Sequence, residues 1–319
     1  MQENPLKYWI PYKIDKPDGH ELCYWINTFG EPFSEPFFDD TLRKYRIMNH
    51  PHSKTASVSY MDMLIDWAKD LDAIAPAAFI FHISRCGSTL LAQLLAAGGQ
   101  RIVLSEVPFL DDILRLPFKN TGAEVAETDE LLKAAIKFYG QPKNENEQQL
   151  FIKTDSWHIA FYKQIRALYP STPFILMYRT PDEVFRSHGK LKGMHAVPGL
   201  IEPEIFGFNA ADIQYNDFDG YLARLLENYL TRYIDVAETD KNCLLINYNE
   251  GPMPMVKRIA AFIDMPLSEN EIKIMDERSR FHSKKPDERF HEEKINSIPG
   301  CLTNAMALYA KLEGIRRSL

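Results

Sequence analysis

The chain has 319 residues, of which 45% are hydrophobic and 25% charged, a composition typical of a globular protein and unlike that of disordered or fibrous chains. Its formal net charge of −7 disfavours general binding to nucleic acid or to an anionic membrane surface, although a local basic pocket is compatible with that total. Four scattered cysteines without a CxxC pair, no signal-peptide pattern and no apolar run of membrane-spanning length favour a cytoplasmic protein.

Residues 1–75 are predicted to form an extension that packs on the main domain. Residues 1–60 are rich in aromatic residues, proline and turn signals, which indicates a small β layer of short strands and loops. The amphipathic stretch at 60–75 predicts a helix.

Residues 76–319 are predicted to form an α/β domain, because short apolar runs alternate with amphipathic stretches. That rhythm is typical of a mainly parallel sheet with helices on both faces, in which ligands bind at the carboxyl ends of the strands. The predicted strands are 78–83, 101–104, 149–154, 173–178 and 243–248. The predicted helices are 88–97, 107–116, 129–139, 157–168, 181–190, 218–238, 253–263 and 302–314. The segment 191–217 carries glycine, proline and aromatic residues without a period, which predicts a substrate lid.

The run FIFHISRCGSTLLAQLLAAGG (79–99) places a tight turn between a predicted strand and a predicted helix. Free backbone N–H groups at a helix N-terminus after such a turn form an anion site. A nucleotide P-loop would have glycine and lysine where this chain has His82 and Ser88, and here the cation, Arg85, lies inside the turn. The turn therefore predicts an anion site that is not a conventional ATP or GTP loop.

Three stretches of the sequence resemble motifs of the sulfotransferase family. They occur in the same order along the chain as in that family. Ser84-Arg85-Cys86-Gly87-Ser88-Thr89-Leu90 is similar to the loop that binds the 5′-phosphosulfate, usually Pro-(Lys/Arg)-Ser-Gly-Thr-Thr. A predicted strand ending in Arg179, then x-Pro-x-Asp/Glu-Val and Ser187 eight residues after the arginine, is similar to the 3′-phosphate segment. Between them, Lys153-Thr154-Asp155 resembles the Lys-Thr-Pro or Lys-Thr-His of relatives. The resemblance is specific over about 78–190.

This resemblance implies a three-layer α/β/α, P-loop NTPase-like sulfotransferase fold and the donor 3′-phosphoadenosine 5′-phosphosulfate (PAPS) as co-substrate. It implies transfer of a sulfuryl group to a hydroxyl or amine of a small-molecule or glycan acceptor. No metal is expected, because a sulfuryl group carries less charge than a phosphoryl group. The acceptor's identity and the oligomeric state are left open by the sequence.

The resemblance also assigns donor-binding residues. The loop 84–90 would hold the 5′ end of the donor, while Arg179 and Ser187 would hold its 3′-phosphate through a guanidinium fork and a hydroxyl. Arg280 and Lys284 lie where relatives bring a basic loop over the 3′-phosphate, and a solvated basic run is the other interpretation.

For catalysis, the resemblance places Arg85 near the bridging oxygen of the leaving group and aims Lys153 at the transferring oxygens. Glu106, which follows the second predicted strand, is the preferred base, with helix N-terminal charge stabilisation as its other interpretation. His158 and Asp155 are the alternative bases. A histidine at 82 is expected to point into the core or to the edge of the nucleotide, without a role.

Two other functions are compatible with parts of the sequence. A kinase-like phosphoryl-transfer enzyme using ATP and magnesium would share the architecture, with Asp155 as the metal carboxylate, but the loop lysine is missing. A non-catalytic nucleotide-binding module would not explain why Arg85, Lys153, Arg179 and Ser187 are all present.

Overall fold

The computed structural model describes residues 4–50, 55–119, 124–281 and 298–318. The strands are β1 (Trp9–Asp15), β2 (Leu22–Asn27), β3 (Ser57–Tyr60), β4 (Pro76–His82), β5 (Arg101–Ser105), β6 (Gln149–Lys153), β7 (Phe174–Tyr178) and β8 (Cys243–Asn247). The helices are α1 (Phe38–Asn49), α2 (Met61–Ala68), α3 (Ser88–Ala96), α4 (Pro108–Arg115), α5 (Val125–Tyr139), α6 (Tyr162–Leu168), α7 (Pro181–Lys190), α8 (Phe218–Thr239), α9 (Pro252–Phe262), α10 (Glu269–Ser279) and α11 (Thr303–Ser318). Short 3-10 helices lie at Pro17–Gly19, Leu116–Phe118, Ser156–Phe161, Met194–Ala196, Pro203–Phe206, Ala210–Asp212, Tyr248–Glu250 and Gly300–Leu302.

The N-terminal extension combines an antiparallel sheet with two helices. β2 pairs with β1 on one side and with β3 on the other. The prediction of strands and loops alone over 1–60 was wrong at α1. The buried residues of α1 recur at helical spacing, a signal that the surrounding proline and aromatic residues obscured; they are Phe38, Thr41, Leu42 and Tyr45.

The extension packs on α5 of the α/β domain. The Tyr139 hydroxyl donates to the carbonyl of Pro11, and the Gln141 side chain donates to the carbonyl of Trp9 at 3.3 Å. The ring centroids of Trp25 and Phe138 lie 4.7 Å apart. Buried residues of both parts belong to one continuous hydrophobic core. A domain boundary at residue 75 stays a prediction.

Within the described residues, five parallel strands form the main sheet in the order β5-β6-β4-β7-β8. The predicted α/β fold with a mainly parallel sheet is confirmed. β7 is buried along its whole length, as expected where helices cover both faces of a sheet. The chain moves from β4 to β5 and β6 on one side and then to β7 on the other, so β4 lies at the point where strand order reverses. Open α/β sheets bind ligands at that point.

Three helical regions differ from the prediction. The predicted helix 157–168 is divided into a 3-10 helix, Ser156–Phe161, and α6. α10 was not predicted, because only two of its residues, Glu271 and Met275, are buried and its apolar period is weak. The segment 191–217 contains three short 3-10 helices, and its role as a lid stays a prediction. None of the helices in the described ranges is long and apolar enough to cross a membrane.

Candidate active site

A cavity of about 990 Å³ lies at the carboxyl ends of the strands of the parallel sheet. Its lining includes one residue after each strand, here in sheet order: Glu106, Asp155, Ser84, Arg179 and Tyr248. The side formed after β4, β7 and β8 is called the anion half, and it comprises 84–90, Arg179, Ser187 and Tyr248. The side formed after β5 and β6 is called the carboxylate half, and it comprises Glu106, Asp111 and Asp155.

The loop between β4 and α3 has an unusual backbone. Ser84 and Arg85 have φ angles of 64° and 48°, and Gly87, the residue before α3, has a φ of 79°. Non-glycine residues in this region cost about 1–3 kcal/mol each, and such strain concentrates at functional sites. The bend leads directly into α3, whose first N–H groups have no acceptor within the helix. The loop therefore offers backbone donors to an anion.

Glycine is required at position 87 for two reasons: its positive φ angle and the close approach of a neighbouring ring. A Cβ atom on Gly87 would lie 2.2 Å from the ring of Tyr248. The same ring lies under the guanidinium of Arg179, whose Cζ is 4.7 Å from the ring centroid. Tyr248 thus joins the loop to Arg179, and only its position after a predicted strand could have indicated this from the sequence.

Arg179 and Ser187 both line the cavity that the loop opens into. Arg179 is buried, and its Nε donates to Glu183 at 3.2 Å, which orients the guanidinium. Ser187 lies on α7, which begins two residues after Arg179. The structure therefore brings both predicted 3′-phosphate residues into one cavity with the loop.

The other loop side chains differ in where they lie. The guanidinium of Arg85 lines the cavity and donates to the carbonyl of Leu191 at 2.6 Å. The thiol of Cys86 is buried instead and donates to the carbonyl of Met177 at 3.6 Å. Burial raises the pKa of Cys86 to about 11. Cys86 can therefore contribute only its backbone to an anion site. Ser88, Thr89 and Leu90 all line the cavity.

Glu106 is the centre of the carboxylate half. Its backbone has a φ of 56°, and its N–H donates to the carbonyl of Lys153 at 2.8 Å. Its Oε1 contacts the ammonium of Lys153 and lies 3.1 Å from Nε2 of His82. Although burial opposes ionisation, Lys153 and the hydrogen bond from His82 hold the pKa of Glu106 below its ordinary value. Glu106 is therefore ionised, with Oε1 already engaged.

The ammonium of Lys153 does not point into the cavity, where the sequence predicted it would face the transferring oxygens. Its side chain is fully buried, and its ammonium lies beneath Glu106 rather than on the cavity wall. β6 pairs directly with β5, and a long side chain at the end of β6 reaches the carboxylate that follows β5. His82, which the sequence analysis left without a role, lines the cavity and contacts Glu106.

His158 lies one layer behind the cavity. Its Nε2 lies 2.9 Å from Oδ1 of Asp111, and its Nδ1 accepts from the backbone N–H of Asp155 at 3.2 Å. Asp111 also accepts from Trp157 at 2.6 Å and from Arg115 at 2.8 Å. Burial opposes ionisation, but His158 and Arg115 lower the pKa of Asp111 to about 2. Both ring nitrogens of His158 are thus occupied, and the ring orients Asp111.

Asp155 differs electrostatically from the other two carboxylates. It lines the cavity, and burial together with Glu106 and Asp111 raises its pKa well above the ordinary value. Ligand atoms of Asp111, Asp155 and His158 lie within 4.8 Å of one another, which a metal ion would require. However, Asp111 already accepts several N–H donors, so this set fits a metal poorly.

Other segments also contribute to the wall, among them Leu191, Gly193, Met194 and His195 of the segment 191–217. The start of α1 contributes Phe37, Phe38 and Asp39, so the N-terminal extension reaches the site. The exposed Arg280 also lines the cavity and pairs with Asp276 at 2.5 Å. Lys284, the other predicted basic residue, lies outside the described residues.

Fold and site together define an α/β protein with a strained loop before a helix at the point where strand order reverses, beside an ion-paired carboxylate. Comparison with known proteins identifies the fold more specifically. The sulfotransferase domain from the curacin biosynthetic pathway superimposes with a TM-score of 0.50 at 14% identity, over 76% of this chain and 99% of that one. Sulfotransferase STF9 from Mycobacterium avium gives a TM-score of 0.49 at 14% identity, over 81% of this chain and 80% of that one.

Identity of 14% to the curacin domain establishes a shared fold and nothing finer. No protein-family model matches the sequence, and no curated protein matches it. The chain therefore has the sulfotransferase fold, as the sequence motifs predicted.

Proposed function

We propose that this protein is a sulfotransferase that moves a sulfuryl group from PAPS to a hydroxyl or amine of a small-molecule or glycan acceptor. The observation that carries the proposal is the single cavity that holds both the loop 84–90 and the pair Arg179 and Ser187. A donor with phosphates at both ends of its ribose needs two anion sites. The shared fold supports the same conclusion.

In this proposal the anion half binds the donor. Backbone N–H groups at the start of α3 and the hydroxyls of Ser88 and Thr89 would hold the 5′ end. Arg179, oriented by Glu183 and backed by Tyr248, would make a bidentate contact with the 3′-phosphate, helped by Ser187. Arg280 lies at the rim and would contribute weakly, because it is exposed and already paired.

The transfer step needs little covalent help from the protein. The acceptor oxygen bonds to sulfur as the bond from sulfur to the bridging phosphate oxygen breaks, and its electron pair goes to the phosphate. Arg85 lines the cavity in the strained loop and would stabilise charge on that bridging oxygen. A sulfuryl group carries less charge than a phosphoryl group, so in this proposal the step proceeds without a metal ion to neutralise it.

Glu106 is the proposed acceptor of the proton. Its Oε1 is bound by Lys153 and His82, and among the described residues no partner contacts Oε2, which leaves that oxygen for an acceptor hydroxyl. A carboxylate of low pKa is a weak base, so it takes the proton after bonding to sulfur has acidified the hydroxyl. A loose transition state, with little charge on the attacking atom, fits this late transfer. In this assignment Lys153 is a positioning residue.

A metal-dependent phosphoryl transfer is the second candidate, favoured by one observation. Asp111, Asp155 and His158 have the mutual distances of a metal-binding set, and the two carboxylates line the cavity. This function would require ATP with magnesium to bind at the loop, despite a serine at the position of the P-loop lysine.

Thermal shift with three ligands tests the proposal: adenosine 3′,5′-bisphosphate, ATP with magnesium, and GTP with magnesium. We expect a shift with the bisphosphate alone, since a ligand at 100 times its Kd stabilises a fold by about 2.7 kcal/mol. Turnover is then measured as transfer of labelled sulfate from PAPS to an acceptor extract. A shift with ATP and magnesium alone would establish the second candidate instead.

A further inference from the structure

We propose that His82 is a positioning residue that ties the anion-binding loop to Glu106, so that donor binding and proton acceptance share one geometry. This inference rests on the proposed function. His82 is the last residue of β4, and it is almost completely buried on the cavity wall.

Its imidazole contacts the ends of three neighbouring strands. Nδ1 accepts the backbone N–H of Ser84, at the start of the loop, at 3.1 Å. Nε2 lies 2.9 Å from the carbonyl oxygen of Thr154, after β6, and 3.1 Å from Oε1 of Glu106, after β5. A five-membered ring is rigid, so the loop and the carboxylate cannot move independently while both contacts are kept.

The hydrogen-bond partners define the protonation state. Because Nδ1 accepts an N–H, it carries no proton, and the single proton lies on Nε2, which donates to the Thr154 carbonyl and lies 3.1 Å from Oε1 of Glu106. Charged or titratable neighbours are Lys153, Glu106 and His195. Burial and the Lys153 ammonium lower the pKa of His82, which keeps this neutral tautomer. A protonated ring would direct a second N–H at that of Ser84 and displace the loop.

The contact with Ser84 also explains how the loop keeps its backbone strain. Ser84 has a φ of 64°, a conformation that persists only where the surroundings impose it. The hydrogen bond to His82 is one such constraint. The second ring nitrogen applies a constraint to Glu106, itself at a φ of 56°. One side chain thus supports two strained residues that belong to opposite halves of the cavity.

Two substitutions separate these contacts, since an asparagine amide occupies the position of Nδ1 and a glutamine amide nitrogen that of Nε2. His82→Asn can keep the bond to Ser84 but loses the contact with Glu106. We expect the Kd for adenosine 3′,5′-bisphosphate to stay within about threefold while kcat falls about tenfold or more. His82→Gln can keep the donor facing Glu106 but loses the bond to Ser84. We expect its Kd to rise about tenfold, with kcat at saturating PAPS within about threefold.

His188→Asn is the matched control, because His188 is buried, its Nδ1 accepts the N–H of Gly193 at 3.1 Å, and it does not line the cavity. It should lower the melting temperature without the opposed changes in Kd and kcat. If one His82 variant does not fold, the other carries the test through its Kd-to-kcat split.

Equal losses of Kd and kcat in both variants, no change in either, or failure of both to fold would overturn the inference. Failure of the wild-type protein to bind the bisphosphate would instead overturn the proposed function.

Discussion

The anion half and the carboxylate half of the cavity differ in where their functional groups come from in the chain. In the anion half, the groups proposed to bind the donor are backbone N–H groups of one continuous loop, 84–90, and side chains that follow the neighbouring strands β7 and β8. In the carboxylate half, each acidic group takes its properties from residues distant in the chain, such as Lys153 and His82 beside Glu106. Local sequence therefore encodes binding better than it encodes acid–base chemistry.

The two halves also differ in what determines the charge of their side chains. An arginine side chain is a cation at ordinary pH, so the identity of residues Arg179 and Arg85 alone predicts a cationic site. Carboxylates do not share this property: Glu106 is held ionised by its neighbours, whereas Asp155 is driven toward its neutral form. Environments that push the pKa values of paired groups apart are typical of acid–base sites. The predictions below test whether binding and chemistry separate along this division.

The largest effect is expected in the carboxylate half. Glu106→Gln should reduce kcat by about 10²–10³-fold, because the amide cannot accept the proton of the acceptor. The bisphosphate Kd, measured by calorimetry, should stay within about threefold. Glu130→Gln on the exposed face of α5 is the control and should behave as wild type. Full turnover of Glu106→Gln would move the base elsewhere.

In the anion half, Arg179→Ala should raise the Kd for the bisphosphate by about 10–100-fold, because the charge-assisted hydrogen bonds of the guanidinium are lost. Arg186→Ala is a matched control on α7, since Arg186 pairs with Asp182 at 2.5 Å and does not line the cavity. Unchanged affinity in Arg179→Ala would remove the 3′-phosphate assignment.

The loop backbone gives a prediction on stability. Gly87→Ala should destabilise the fold by about 1–3 kcal/mol in denaturant titration, because the new Cβ meets Tyr248 at 2.2 Å and the φ angle is positive. Gly189→Ala, in α7 with nothing near its Cβ, should stabilise by about 0.4–1 kcal/mol. Adding Tyr248→Ala to Gly87→Ala should restore part of the loss, and no recovery would mean that the ring contact is unimportant.

A smaller effect concerns pH. Lys153 keeps the pKa of Glu106 low, so activity that needs this carboxylate should persist as the pH falls below the ordinary glutamate value. In Lys153→Met, burial acts without that opposition, the pKa rises, and the acid limb of the kcat profile should move to higher pH. Lys163→Met, on the exposed side of α6, should leave the profile in place. An unmoved limb in Lys153→Met would show that Glu106 does not control the rate.

The smallest effect on turnover is expected at Asp155. Folding raises its pKa, so its contribution to stability is present below the unfolded pKa and is lost as the pH rises through the folded value. Asp155→Asn mimics the neutral acid, and its stability relative to wild type should grow between pH 4 and pH 8 in denaturant titrations. Its kcat should stay within about threefold of wild type. A hundredfold loss would instead identify Asp155 as the base.

Several elements could be predicted because their signal is local. The apolar runs that became β4 and β7, and the turn that became the strained loop, are all continuous stretches. α7 was predicted with its observed bounds, Pro181–Lys190, since proline marks its start and apolar spacing its length. α1 was missed, because turn-forming residues around it outweighed a helical period of buried residues.

The features of the site that the sequence did not predict were missed for a different reason, which they share. Tyr248 lies more than 150 positions after Gly87 in the chain, and their contact exists only because β8, β7 and β4 are neighbours in the sheet. The direction of the Lys153 ammonium depends on which strand lies beside β6. Side-chain direction at a strand end depends on neighbours that sequence spacing does not specify.

The sequence by itself determined an α/β fold and predicted an anion site at one loop, because helix and strand periods and a loop with one arginine and one glycine act over a few residues. Only the tertiary structure decided which carboxylate is ionised, which lysine holds it, and that a histidine lies between the loop and that carboxylate. Those properties depend on burial and on distances of about 3 Å between strand ends, and such distances exist only after the sheet has assembled.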